Sequence, residues 1–124
     1  MRLLVFQHTP GEHPGRFTGL IAQAGDTAHV VRLFDGEAIP DLTGFDALLV
    51  MGGPMDVWEE DAHPWLRPEK AAIAEWAGAG RPYLGVCLGH QLLVEAMGGR
   101  CGKMKVPEIG VNPIGLTDEG RADG

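Results

Sequence analysis

Positive charge is scarce in this sequence, and the shortage removes a class of partners. Ten Lys and Arg stand against 17 Asp and Glu, for a net charge of −7. No basic stripe exists to neutralise phosphates, so neither nucleic acid nor an anionic membrane surface is expected as a main partner. Cysteine is scarcer still, with only Cys87 and Cys101. That is not the density of a secreted disulfide scaffold. Nowhere do about eighteen apolar residues run together, and the apolar start at Met1 to Phe6 gives way at once to His, Pro and Gly. Neither a membrane span nor a signal peptide is therefore expected, and a cytoplasmic location is the default. Histidine is missing from the whole stretch after His90.

What is present is apolar and punctuated. Hydrophobic residues make up 44% of the chain and 19 glycines fall largely between the apolar segments, which points to tight turns and not to disorder. At 124 residues the chain suffices for one domain with a core and is too short for two ordinary ones. Arg2 to Gln7 reads as a strand covered on both faces. Phe17, Leu20, Ile21 and Ala24 follow at helical spacing and Gly25 closes that helix. Ala28 to Phe34 is a second strand and Ala47 to Met51 a third, stopped by Gly52-Gly53-Pro54. After an acidic, tryptophan-bearing loop, a helix begins near Pro68 with Leu66, Ile73, Trp76 and Ala77 on one face and Glu69 in its first turn. Tyr83, Leu84 and Val86 make a short buried fourth strand, and Leu92, Leu93, Ala96 and Met97 mark a helix ended by Gly98-Gly99. Beyond Arg100, Cys101 to Val106 and Gly110 to Leu116 look like two short strands, and the final TDEGRADG is polar and turn-like. Alternating strands and helices predict an α/β fold: a flavodoxin-like parallel sheet with helices on both faces. Ligands of such sheets bind outside the carboxyl ends of the strands, where Gly52-Gly53 and Cys87 both fall.

Gly85 and Gly89 flank Cys87 at two residues on either side. This is the spacing of a strand-to-helix elbow, whose sharp turn leaves no room for a Cβ beside the nucleophile. Cys87 would then sit on the first turn of a helix, where free N–H groups favour a thiolate. His8, Glu12 and His13 do not match a usual zinc spacing and the cysteines are distant, so no metal and no other cofactor is expected. Gly52-Gly53 lacks the further residues of a phosphate loop. Trp58 and Trp65 flank the acidic Glu59-Glu60-Asp61, and read either as aromatics tucked under a solvated loop or as a rim over the crevice.

GVCLGHQLL at Gly85 to Leu93 resembles the nucleophile motif of class I glutamine amidotransferase domains. MGGPMDVWEEDAHPWL at Met51 to Leu66 resembles their oxyanion strand and the following loop. EIGVNPIGLTDEG at Glu108 to Gly120 is similar to a segment of the GMP-synthase-like branch. The resemblance implies that Cys87 attacks the side-chain amide of glutamine and releases ammonia through a glutamyl thioester. It implies an oxyanion hole made by the N–H groups of Gly53 and Leu88, substrate contact by Gln91, and close approach of the ligand at Gly52. Glutamine or another γ-glutamyl small molecule would be the substrate, and a synthetase subunit the recipient of ammonia. The branch includes γ-glutamyl peptide hydrolases as well.

The sequence departs from the family where the proton is handled. The family completes its triad with a His-x-Glu pair far downstream of the elbow, and no histidine follows His90 here. A helix N-terminus offers a thiolate only about 0.3–1 kcal/mol, whereas acid–base help is worth about 10²–10⁴ in rate. The chain by itself is expected to be a poor glutaminase. Three explanations stand: residues 1–124 are a single partial amidotransferase-like domain whose C-terminal portion is missing, a short homologue serving as a binding or regulatory module, or one member of an oligomer whose partner supplies the base.

Overall fold

A computed structural model describes residues 1–107 and 109–122. Four strands, β1 (Arg2–Gln7), β2 (Thr27–Arg32), β3 (Ala47–Val50) and β4 (Tyr83–Gly85), form one parallel sheet in the order β2-β1-β3-β4. Helices α1 (Arg16–Gln23), α2 (Leu66–Gly78) and α3 (Leu88–Ala96) alternate with them, and a short α4 (Asp118–Ala122) follows. This is the flavodoxin-like arrangement expected. The strand order reverses between β1 and β3, which opens a crevice at their carboxyl ends.

Side-chain alternation along the strands divides the core in two. Leu4, Phe6, Leu48 and Val50 face α2 and α3 and pack with Ile73, Trp76, Leu88 and Leu92 in one buried cluster. Burying each of the larger of these side chains contributes about 1.5–3 kcal/mol. Val5, Leu49 and Met51 point to the other face, where Phe17 of α1 packs against them. That second face is thinly covered. Leu20 of α1 and Leu84 of β4 are both more than half exposed and line an apolar groove of about 200 Å³ with Leu3 and Ile21, so β4, at the edge of the sheet, is not the buried strand expected.

Several boundaries differ from the sequence expectation for identifiable reasons. β2 ends at Arg32 because Leu33 to Asp35 wind into a 3₁₀ turn that buries Leu33. Helix α2 starts at Leu66, so Pro68 lies within its first turn, where the missing N–H has no intrahelical acceptor to lose. Helix α3 ends as predicted: Gly98 adopts φ 84°, and the N–H groups of Gly98 and Gly99 donate to Glu95 O and Val94 O.

The two strands expected after Arg100 do not form. Among the described residues, Cys101 to Val106 and Gly110 to Leu116 are irregular, with Val106, Val111 and Ile114 largely exposed. A strand needs a ladder partner and a face to pack on, and apolar β-formers supply neither by themselves. The polar end is also corrected: Asp118 to Ala122 is helical, with two acids in its first turn and Arg121 in its last. Glu108, which opened one of the three resembling motifs, lies outside the described residues, as do Asp123 and Gly124.

Candidate active site

The carboxyl ends of β1, β3 and β4 converge on one crevice. β4 runs into Val86, whose N–H donates to Val50 O at 2.9 Å, and the chain then turns sharply at Cys87 into α3. Cys87 has φ 52° and ψ −106°, and among the described residues it alone adopts positive φ without being glycine. Such a conformation costs of the order of 1–3 kcal/mol and persists only where its surroundings enforce it. They do so here through close approach. A Cβ on Gly85 would lie 2.6 Å from the Gly89 carbonyl carbon, and one on Gly89 would lie 2.3 Å from Val50 O. Both neighbours are backbone and cannot step aside. Tyr83 Oη donates to Gly89 O at 2.7 Å and holds the helix start against β4. Burial, helped by the charge of Glu69, keeps the Tyr83 phenol protonated far above its usual range, so the donor is permanent.

The Cys87 thiol is exposed and free, and Cys101 is free as well. Gly52 and Gly53 lie opposite the elbow with different duties. The position a Cβ would take on Gly52 is 2.1 Å from a Glu12 carboxylate oxygen and 3.5 Å from Cys87 Cβ, so this glycine faces the Glu12 carboxylate and the Cys87 side chain. The same position on Gly53 is 2.5 Å from Met55 Sδ, 2.8 Å from Leu88 Cδ2 and 3.1 Å from His8 Cβ, so Gly53 faces inward. Leu88 is the first residue of α3, and its N–H has no carbonyl four residues back within the helix. Gln91 is exposed one turn along α3 and lines a cleft of about 220 Å³ with Asp56, Trp58 and Lys103. The structure thus brings Gly52, Gly53, Cys87 and Leu88 together, with Gln91 beside them.

The loop between β3 and α2 is fastened by its acids. Lys70 Nζ reaches Glu60 at 2.7 Å, Val57 O at 2.8 Å and Glu95 at 3.1 Å, tying loop, α2 and α3 together. Trp65 tucks against the core under the loop, as one of the two expectations has it, while Trp58 is 43% exposed and lines the cleft beside Gln91.

The sequence reading missed a buried pair. His8, directly after β1, and Glu69, on α2, are both buried, with His8 Nε2 2.8 Å from Glu69 Oε1 and His8 Nδ1 2.9 Å from Gly52 O. Glu69 is therefore not a solvent-facing acid at a helix start. The available signal was position alone, since His8 falls at the carboxyl end of a strand in a sheet of this type. Burial lowers the proton affinity of His8, but its hydrogen bond to Glu69 and that residue's charge outweigh this, and the result is a raised value. Burial likewise raises Glu69 against the opposing pull of His8. The two raised values describe one proton, shared by the pair and held more firmly than a free histidine holds it. The folded chain consequently binds more protons than the unfolded one, and stability falls as pH rises. The contribution is complete below the ordinary histidine value of 6.5 and is lost as pH climbs through the raised one. Urea midpoints between pH 6 and 9 are expected to drop, and the His8→Leu/Glu69→Met double variant is expected to lose that part of the slope.

Strand order, the elbow and the paired glycines define an α/β domain with a strained thiol at the carboxyl edge of its sheet. A family model described as glutamine amidotransferase class-I matches residues 19–121, and the chain belongs to that family. It is 35% identical to the putative glutamine amidotransferase-like protein YfeJ of Salmonella typhimurium, over 97% of this chain and 52% of that protein. It is 38% identical to the glutamine-hydrolyzing GMP synthase of Aeropyrum pernix, over 68% of this chain and 15% of that one. A crystal structure of a glutamine amidotransferase from Thermotoga maritima superimposes with a TM-score of 0.75 at 27% identity, over 79% of this chain and 43% of the other. The chain spans about half the length of YfeJ and a smaller share of the GMP synthase. Among the described residues no helix is long and apolar enough to cross a membrane.

Proposed function

We propose that Cys87 is the nucleophile of a glutamine-hydrolysing site. Its sulfur adds to the side-chain carboxamide carbon of glutamine, and the carbonyl electrons move onto oxygen, where the N–H groups of Gly53 and Leu88 receive them. The C–N bond then breaks, ammonia leaves with the proton taken from the thiol, and water hydrolyses the glutamyl thioester to glutamate. Gln91 contacts the substrate from α3, and the bare backbone of Gly52 lets it approach beside the sulfur once the flexible Glu12 carboxylate that fills this space swings aside. The observation that carries this reading is the positive φ of Cys87, which is held despite its cost. A nearby synthetase would consume the ammonia, and a cytoplasmic setting keeps such a thiol reduced.

Among the described residues the proton transfer lacks an obvious agent. His8 is the histidine that follows β1 into this crevice, and both its ring nitrogens are engaged. Without a base, turnover is expected to fall by about 10²–10⁴ against an amidotransferase with its full triad. Ammonia release from glutamine measured on the 124-residue chain checks this. A rate equal to that of an intact amidotransferase would overturn it, and complete inertness with retained binding of a partner would favour a binding module. Comparing glutamine with γ-glutamyl dipeptides in the same assay separates an amidotransferase from a γ-glutamyl peptide hydrolase.

A further inference from the structure

None of the chemical steps above uses the His8–Glu69 pair, yet the pair is fully buried against the site. Buried ionisable groups are expensive unless they are paired and hydrogen-bonded. This one is also incompletely satisfied: among the described residues Glu69 Oε2 is buried with no hydrogen-bond partner. The contacts of His8 say what the pair holds. Nδ1 meets the Gly52 carbonyl at 2.9 Å, and His8 Cβ closes one side of Gly53 while Leu88 closes another. Gly52 and Gly53 have no side chains of their own to fix the peptide between them. That peptide is trans, as all described ones are, so its C=O and N–H point in opposite directions from one plane. Holding the Gly52 carbonyl therefore aims the Gly53 N–H.

We propose that His8, backed by Glu69, is a positioning residue that fixes the Gly52–Gly53 peptide so that the Gly53 N–H faces the oxyanion. This rests on Gly53 being an oxyanion donor. Orientation depends on protonation. With one proton on the Nε2···Oε1 contact, whichever atom carries it, Nδ1 keeps its own hydrogen and donates to Gly52 O. Removing that proton leaves a single ring hydrogen for two contacts, and either the carbonyl or the carboxylate then faces a lone pair. The charged or titratable groups bearing on the pair are Glu12 from the loop after β1, Lys70 from α2 and Tyr83 from β4. The clamp is thus closed while the pair holds that proton and opens as pH climbs through the raised value.

The test compares two reagents on Cys87 in the 124-residue chain. A chloromethyl ketone analogue of glutamine needs the oxyanion hole, whereas iodoacetamide needs only the thiol. The double variant His8→Leu/Glu69→Met removes the clamp without stranding a charge, and His8→Asn keeps a donor near the Nδ1 position. The double variant is expected to slow the ketone by about 10²–10³, the cost of losing one oxyanion donor, with iodoacetamide unaffected and His8→Asn recovering most of the loss. In the unaltered chain the Gly53 amide signal in ¹⁵N-glycine spectra is expected to shift as the pair loses its proton, and in the double variant to stop responding. An unchanged ratio of the two labelling rates in the double variant, or a Gly53 amide indifferent to both pH and His8, would overturn the proposal. Inertness of Cys87 to the ketone in every variant, with the Gly53 amide still following the pair, would uphold the clamp and remove the nucleophile reading instead.

Discussion

Replacing Cys87 with glycine is expected to make the chain more stable by about 1 kcal/mol while ending all reaction with glutamine analogues. The backbone at this position costs of the order of 1–3 kcal/mol for a residue with a Cβ, and glycine enters positive φ freely but gives back about 0.5–1 kcal/mol in unfolded-state entropy. The side chain is exposed, so little burial is lost. Cys87→Ala provides the control, because it removes the sulfur and keeps the strain. Denaturant midpoints should rank the glycine variant above both the alanine variant and the unaltered chain. An alanine variant as stable as the glycine one would mean that the elbow is unstrained.

The second large effect concerns the buried pair. His8→Leu alone leaves the Glu69 carboxyl without the group that compensates it, and breaking a buried pair in this way costs about 3–5 kcal/mol. Changing Glu69→Met in the same chain removes the stranded group, and paired replacement by apolar residues is often neutral or stabilising. The double variant is therefore expected to recover most of the loss. The coupling energy from a double-mutant cycle by urea denaturation measures this directly. Additive effects of the two substitutions would show that His8 and Glu69 do not act as a unit.

Local pattern made much of this architecture legible. The nearly unbroken apolar runs at Arg2–Gln7 and Ala47–Val50, the stripes at three- and four-residue spacing on α2 and α3, and the glycines two residues either side of Cys87 each announce an element. The elbow was readable because its requirement is steric and falls within five consecutive residues. What failed to show was non-local. His8 and Glu69 are 61 positions apart, and nothing in either neighbourhood marks them as partners until β1 and α2 are packed together. The segments after Arg100 failed for the opposite reason. Val106, Val111 and Ile114 have the composition of strands, but strand formation is decided by pairing and packing that these residues do not find among the described ones. The same holds for Leu20 and Leu84, whose apolar groove is evident only in three dimensions.

The proposed role of Cys87 is that of the reactive position within a site that recognises a γ-glutamyl group. It is tested most directly by exposing the chain to the chloromethyl ketone analogue of glutamine and locating the adduct by peptide mass spectrometry, with and without excess glutamine. One adduct on Cys87, suppressed by glutamine and absent from Cys101, is the expected result. Equal modification of Cys87 and Cys101, or labelling that glutamine does not slow, would contradict it.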